Sequence, residues 1–245
     1  MRVVVCLLLA LFSMSAHAHN GDHYSNNVLR VYTEEDFAPY TYLNESGNLE
    51  GIAIDIVNKI LGDAKFKHTS PKIMPWARSY HITQNQPNSL LFAMYRTPIR
   101  EDLFEWVGPI GSSKIVMFVK KGRDFNPEDF KVAAVRESAS YQAVMNKGIN
   151  PDKIVPLNDN NLGVMLLNVG RVDAWAVSHV NALEKIKENN FNLDDFYIYE
   201  VISERELYLG FNKETNHEIL DFFTEKLEEL RKSGFIDKTN AKYNY

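Results

Sequence analysis

From residue 28 onward, β-branched and apolar runs alternate with stretches of helical periodicity, and this alternation points to an α/β fold with largely parallel strand pairing. Residues 28–32 read as a strand, Pro39 breaks the next segment, and Asn44-Glu45-Ser46-Gly47-Asn48 is turn chemistry. Residues 51–61 carry Ile52, Ile56 and Ile60 four apart with Val57 and Leu61 beside them, the pattern of an amphipathic helix that Gly62 would stop. A strand at 65–69, a helix at 77–85 before Pro87, and strands at 89–95 and 114–119 come next. A second cycle begins at Lys131, with strands at 132–135, 154–156 and 173–177 and helices at 140–146, 162–169 and 180–187. The tail breaks the alternation. After a strand at 206–211, residues 218–231 place Ile219, Phe222, Phe223, Leu227 and Leu230 on one side of a long helix that Ser233-Gly234 ends, and 238–245 is expected to form a short helical turn.

The first residues have a different logic. Arg2, an apolar run at 3–12 and the small-x-small pattern Ala16-His17-Ala18 have the layout of a secretory signal, so 1–18 is expected to be removed after Ala18 and the rest exported to the periplasm, with 19–27 as a flexible lead-in. The apolar run is too short to span a bilayer. Cleavage removes Arg2 and the only cysteine, Cys6, leaving 26 basic against 32 acidic side chains, a formal charge of -6. A mature chain without cysteine has no disulfide, thiolate nucleophile or Cys-ligated metal. A moderately acidic chain without a long basic run is a poor partner for nucleic acid or anionic membranes. His17, His19 and His23 cluster at the cleavage point, where an adventitious metal is the most they would hold. There is no His-Glu-x-x-His, phosphate-cradling glycine loop or convincing Ser-His-Asp arrangement, so neither metal nor cofactor is expected.

A set of short motifs, in order, resembles the extracellular solute-binding proteins of family 3, the polar amino acid type. They are Phe37-Ala38-Pro39-Tyr40, Gly47-Asn48-Leu49-Glu50-Gly51, Ile54-Asp55-Ile56, Thr97-Pro98-Ile99-Arg100-Glu101-Asp102, Gly170-Arg171-Val172-Asp173-Ala174 and Leu230-Arg231-Lys232-Ser233-Gly234-Phe235. The resemblance implies a type II periplasmic-binding-protein fold: two α/β lobes joined by two crossing strands, with the ligand cleft between them. Lobe 1 would be discontinuous, 28–111 plus 207–245, and lobe 2 would be 112–206, with crossings near 112–117 and 203–208. That arrangement would send the tail back to the first lobe.

The same resemblance assigns site residues. Arg100 matches the arginine that grips the ligand carboxylate, and a guanidinium fork suits that task through two parallel charge-assisted hydrogen bonds; the bland alternative is a surface pair with Glu101 or Asp102. Ser138 and Ser140 open a predicted helix whose free N–H groups and dipole attract an anion, although N-capping alone would explain a serine there. Phe37, Trp76 and Tyr95 are expected as aromatic walls, against the usual fate of core packing. Tyr95 stands where relatives often carry a small hydroxyl residue. Arg78 either reaches the same cleft or is an exposed helix arginine. Family amino acid binders place an aspartate five residues after Asp173 to meet the ligand ammonium; Ser178 stands there, followed by His179. A serine cannot supply the charge that a desolvated ammonium demands, so either Glu34 compensates or the ligand lacks a standard α-amino group. Arg96 matches nothing in the family and is left as structural or as a rim charge.

These features lead to a periplasmic monomer that closes over a small carboxylate-bearing solute, an amino acid or related organic acid, on behalf of an ABC-type transporter permease or a membrane sensor. Two other classes stay open. The fold also serves cyclohexadienyl dehydratases, for which Glu34, Glu137 and His179 are conceivable acids or bases. Related domains also form stand-alone sensory modules.

Overall fold

The computed structural model describes residues 28–34, 36–124 and 129–243. The expected signal segment, the 19–27 lead-in and the three N-terminal histidines lie outside the described residues.

β1 (Val28–Thr33) begins the main sheet. A small antiparallel sheet of β2 (Asp36–Phe37), β3 (Thr41–Leu43) and β4 (Leu49–Glu50) comes next, folded by the turn at residues 44–48. Helix α1 (Ile52–Gly62) leads to β5 (Lys67–His68) and β6 (Lys72–Ile73), and α2 (Trp76–Asn85) to β7 (Ser89–Tyr95). β5, β6 and β7 all pair parallel with β1. Both faces of this sheet are covered, which is why residues 89–95 are apolar without alternation. Leu90 and Phe92 pack with α1 residues Ile52, Ile56 and Ile60, whereas Leu91 and Met94 pack with Trp76 and Tyr80 of α2.

The central element is a pair of 17-residue strands, β8 (Phe104–Lys120) and β12 (Phe196–Asn212), antiparallel from Phe104↔Asn212 to Lys120↔Phe196. Between them the chain forms β9 (Val132–Val135), α3 (Ala139–Asn146), β10 (Ile154–Leu157), α4 (Asn160–Val169), β11 (Ala174–Ser178) and α5 (His179–Glu188). β11 pairs antiparallel with β8 and parallel with β9, and β9 with β10, giving the order β10-β9-β11-β8-β12-β7-β1-β5 with β6 beside β1. β12 meets β7 only from Leu207 onward, and β8 meets β11 only from Ile115 onward. In the intervening stretch each long strand is held in the sheet by the other alone. The fold is two-lobed. One lobe has its cores on the two faces of β1 and β7; the other packs α4 and α5 on Val116, Phe118 and Trp175, and α3 on Met117 and Val119. The tail, α6 (His217–Lys232) and α7 (Phe235–Lys242), returns to α1: Phe223 and Leu227 join its core, and Lys242 pairs with Asp55 at 2.7 Å.

Three elements differ from the sequence expectation. Strands are expected over 114–119 and 206–211, yet each begins ten residues earlier, in stretches broken by Gly108, Pro109 and Gly111 in one and by Glu200, Glu204 and Arg205 in the other. The last helix starts at Phe235, directly after Gly234, whose left-handed φ of 71° turns the chain out of α6. β2 to β4 are too short to show a period of two.

Candidate functional site

Arg100 ends a tight turn in which its N–H donates to the Thr97 carbonyl at 2.9 Å. Its side chain points inward and is 0% exposed. The guanidinium packs against the rings of both Trp76 and Tyr80, 4.9 and 5.1 Å from their centroids. Nη1 donates to the Tyr95 carbonyl at 3.2 Å and Nη2 to the Glu137 carbonyl at 2.7 Å, while Nε has no hydrogen-bond partner among the described residues. Burial pushes the guanidinium down to about 10, against the partial offset of the Tyr80 hydroxyl and Glu34, so it stays charged at neutral pH. The cation is thus met by π faces and neutral carbonyls.

Glu137 belongs to the other lobe. It adopts a left-handed φ of 57°, rare for a residue with a Cβ, and its carbonyl also accepts from Trp76 Nε1 at 3.1 Å. Helix α3 begins immediately afterwards. Ser138 caps it, its Oγ accepting from the Tyr141 N–H at 3.1 Å, and Ser140 lies in the first turn. The positive end of a helix and a buried guanidinium are thereby brought together across the lobes. Thr97 Oγ1 and Gln142 Oε1, 3.0 Å apart, add a second contact across the same boundary.

Beside this cluster is a cavity of about 50 Å³ that brings together Glu34, Phe37, Trp76, Tyr95, Ser138, Ser140 and Ser178, seven of the nine residues expected from sequence. It shares Glu34 and Trp76 with an outer cavity of about 240 Å³, walled by Met74 and Asp159. Phe37 and Tyr95 pack on one side with ring centroids 5.8 Å apart and planes tilted by 39°. Ser178 Oγ lies 3.0 Å from Ser113 Oγ on β8, so the position that would face an ammonium is tied to a crossing strand by a neutral pair.

Two expected residues lie elsewhere. Arg100 lines neither cavity; it is packed behind Trp76 and Tyr95, under the Glu137 carbonyl. Arg78 also lines neither, because it is two residues from Trp76 on α2 and the two positions face different sides of the helix. Of the acid–base candidates for a dehydratase, only Glu34 lines the cavities; Glu137 presents its carbonyl while its side chain is exposed, and His179 stacks on Phe118 at 6.2 Å. Sequence reasoning missed Asn160 and Asn181 in the wall. Both occupy the first turn of a helix that succeeds a strand, α4 and α5, where open α/β folds gather their ligand contacts. That position was the available signal. A larger cavity of about 400 Å³ beside Tyr42, Glu184 and Glu188 contains none of the expected residues.

Residues 29–245 match the model of the bacterial extracellular solute-binding proteins, family 3. The chain belongs to this family. A probable histidine-binding protein of Neisseria gonorrhoeae is 23% identical over 223 residues, covering 88% of this chain and 82% of that protein. The L-cystine-binding protein TcyJ of Escherichia coli K12 is 21% identical over 254 residues, covering 99% and 93%. Among solved structures, an ancestral arginine-binding protein bound to glutamine superposes with a TM-score of 0.74 at 26% identity, covering 89% and 97%. These family 3 relatives are binding proteins, and the motif resemblance read from Phe37 to Phe235 holds across the chain. No helix among the described residues is long and apolar enough to cross a membrane.

Proposed function

We propose that this family 3 protein captures a small carboxylate-bearing solute, an amino acid or related organic acid, by closure of its two lobes in the periplasm, and presents it to an ABC-type transporter or a membrane sensor. The observation that carries the reading is Arg100: a fully buried cation whose hydrogen bonds go to neutral carbonyls and whose Nε–H lacks a partner among the described residues. Such a group gains from an incoming carboxylate. Its one contact from the opposite lobe is the Glu137 carbonyl, so parting the lobes withdraws that carbonyl and exposes the guanidinium. The carboxylate then binds the exposed guanidinium, and closure adds the N–H groups at the start of α3.

The boundaries proposed for this motion are 28–111 with 207–245 as one lobe and 112–206 as the other; the stretch where β8 and β12 pair only with each other supports them. The ligand's cationic end, where it has one, is assigned to Glu34, since Ser178 is held by Ser113 and brings no charge. The names of the relatives make histidine, cystine, arginine and glutamine the first solutes to try. The decisive experiment is calorimetry of the mature chain, cleaved after Ala18, with the twenty amino acids, cystine and small organic acids, on wild type and Arg100→Ala. Binding confined to carboxylates and lost in the variant is expected. A solute that binds both proteins equally would remove Arg100 from the site, and turnover of prephenate or arogenate would replace binding with catalysis.

A further inference from the structure

Arg96 has no part in the cavities, yet it is the most elaborately held exposed charge near them. Nε donates to Glu101 Oε2 at 2.8 Å and Nη2 to Glu101 Oε1, a two-pronged pair that bridges the base of the turn bearing Thr97 at one end and Arg100 at the other. The Arg96 guanidinium carbon lies 5.8 Å from the ring centroid of Trp106 and 5.3 Å from that of Tyr208. Trp106 is on β8 and Tyr208 on β12, the two strands that cross between the lobes. Trp106 Nε1 in turn donates to the Glu101 carbonyl at 3.1 Å, and Tyr208 donates to Glu206 at 2.8 Å. The Arg96 fork holds the Glu101 carboxyl below the usual carboxylate range.

An ordinary exposed ion pair contributes little, because two long side chains lose freedom to form it. This one differs in geometry: it is bidentate, it lies on two aromatic faces, and it closes a six-residue ring of chain around the turn. Everything the turn presents to the opposite lobe, Arg100 to Glu137 and Thr97 to Gln142, issues from inside that ring.

We propose that Arg96 is a positioning residue for the ligand anchor: its fork to Glu101, seated on Trp106 and Tyr208, fixes the 97–100 turn to both crossing strands so that Arg100 and Thr97 meet the start of α3 in register. The proposal rests on the reading of Arg100 as the carboxylate contact, and its test separates the two. The mature protein is labelled with ¹⁵N-arginine and ¹⁵N-tryptophan, and the Nε–H resonance of Arg100 is assigned from its loss in Arg100→Lys. Full burial makes this proton slow to exchange with water in the wild type. Arg96→Ala and Glu101→Gln should each lose the resonance to exchange, while the indole N–H of Trp175, buried in the other lobe, stays sharp and reports an intact fold. Combining Arg96→Glu with Glu101→Arg reverses the pair and should restore the Arg100 signal. A retained resonance in Arg96→Ala overturns the proposal, as does failure of the reversed pair to restore it. Sodium acetate titrated into wild type probes the anchor by itself: a shift of the Arg100 resonance supports it, and its absence overturns the carboxylate reading whatever the Arg96 variants do.

Discussion

Replacing Arg100 with methionine separates an anchor kept for a ligand from one kept for folding. Methionine keeps the unbranched stem as far as the position of Nε and removes the charge. Lost are two hydrogen bonds from a charged group, about 1.5–3 kcal/mol each, and the cation's contact with the rings of Trp76 and Tyr80, about 2 kcal/mol when desolvated. Together these are roughly 5–8 kcal/mol. On the other side, burial pushes the guanidinium well below its ordinary value, to about 10, which at about 1.36 kcal/mol per pH unit is a cost of roughly 3 kcal/mol that methionine does not bear. Burying the methionine side chain adds about 2–3 kcal/mol. The two sides nearly cancel, so Arg100→Met should unfold in urea within about 3 kcal/mol of wild type. Binding is expected to behave otherwise, since removing one partner of a buried charge pair costs about 2–5 kcal/mol, or roughly 30-fold to several thousandfold in affinity. The assay is urea unfolding by circular dichroism in solute-free buffer, followed by calorimetry with the best solute from the panel. A variant that loses more than about 5 kcal/mol of stability would make Arg100 a structural keystone. One that binds with undiminished affinity would end its role as anchor. Either result refutes the reasoning.

Tyr40→Phe should destabilise the crossing by about 1–3 kcal/mol in urea, because the buried Tyr40 hydroxyl donates to the Ser112 carbonyl at 2.7 Å and accepts from the Ser112 N–H at 3.1 Å. Gly163→Ala should lower the melting temperature despite alanine's better helix propensity: a Cβ there would be 2.6 Å from Trp175 Cδ1, so α4 must shift, at about 1–3 kcal/mol. His179 is held below its ordinary value, by burial first and Lys114 second. The unfolded chain therefore takes up this proton first, and the stability His179 contributes is complete above pH ~6.5 and lost as pH falls through that value; His179→Gln should flatten this part of the urea-midpoint profile against pH.

The parts of the fold that were legible in the sequence are those where burial is two-sided or strictly periodic. Residues 89–95 and 132–135 could be bounded to the residue because helices cover both faces of their sheet and leave the runs at 90–95 and 132–135 apolar throughout. The front of β8 and the first half of β12 were missed because each has only one neighbouring strand there, and they carry Gly108, Gly111, Glu200 and Glu204 where a core strand would be apolar. In the site, Ser138, Ser140 and Ser178 were readable from their place at strand ends and helix starts. Asn160 and Asn181 have the same kind of position, but asparagine there also reads as ordinary turn chemistry. Arg78 was drawn in by its nearness to Trp76 along the chain, which on a helix does not mean a shared face.

What no motif conveys is how Arg100 is held. A carboxylate hydrogen-bonded to the guanidinium would have neutralised it and left little for a ligand to gain; Glu34 offsets burial only in part, and carbonyls and ring faces carry only partial negative charge, so the cation's demand stays open. The carbonyl from the opposite lobe depends on one backbone angle, the left-handed φ of Glu137, a conformation costing a residue with a Cβ about 1 kcal/mol. The exposed Glu137 side chain accounts for none of this contact; the backbone does. The same turn that aims the carbonyl at Arg100 also starts α3, so withdrawing one from the guanidinium necessarily withdraws the other. On the proposed reading, a solute carboxylate would therefore meet the guanidinium and the start of α3 together as the lobes close, which makes capture and closure one event.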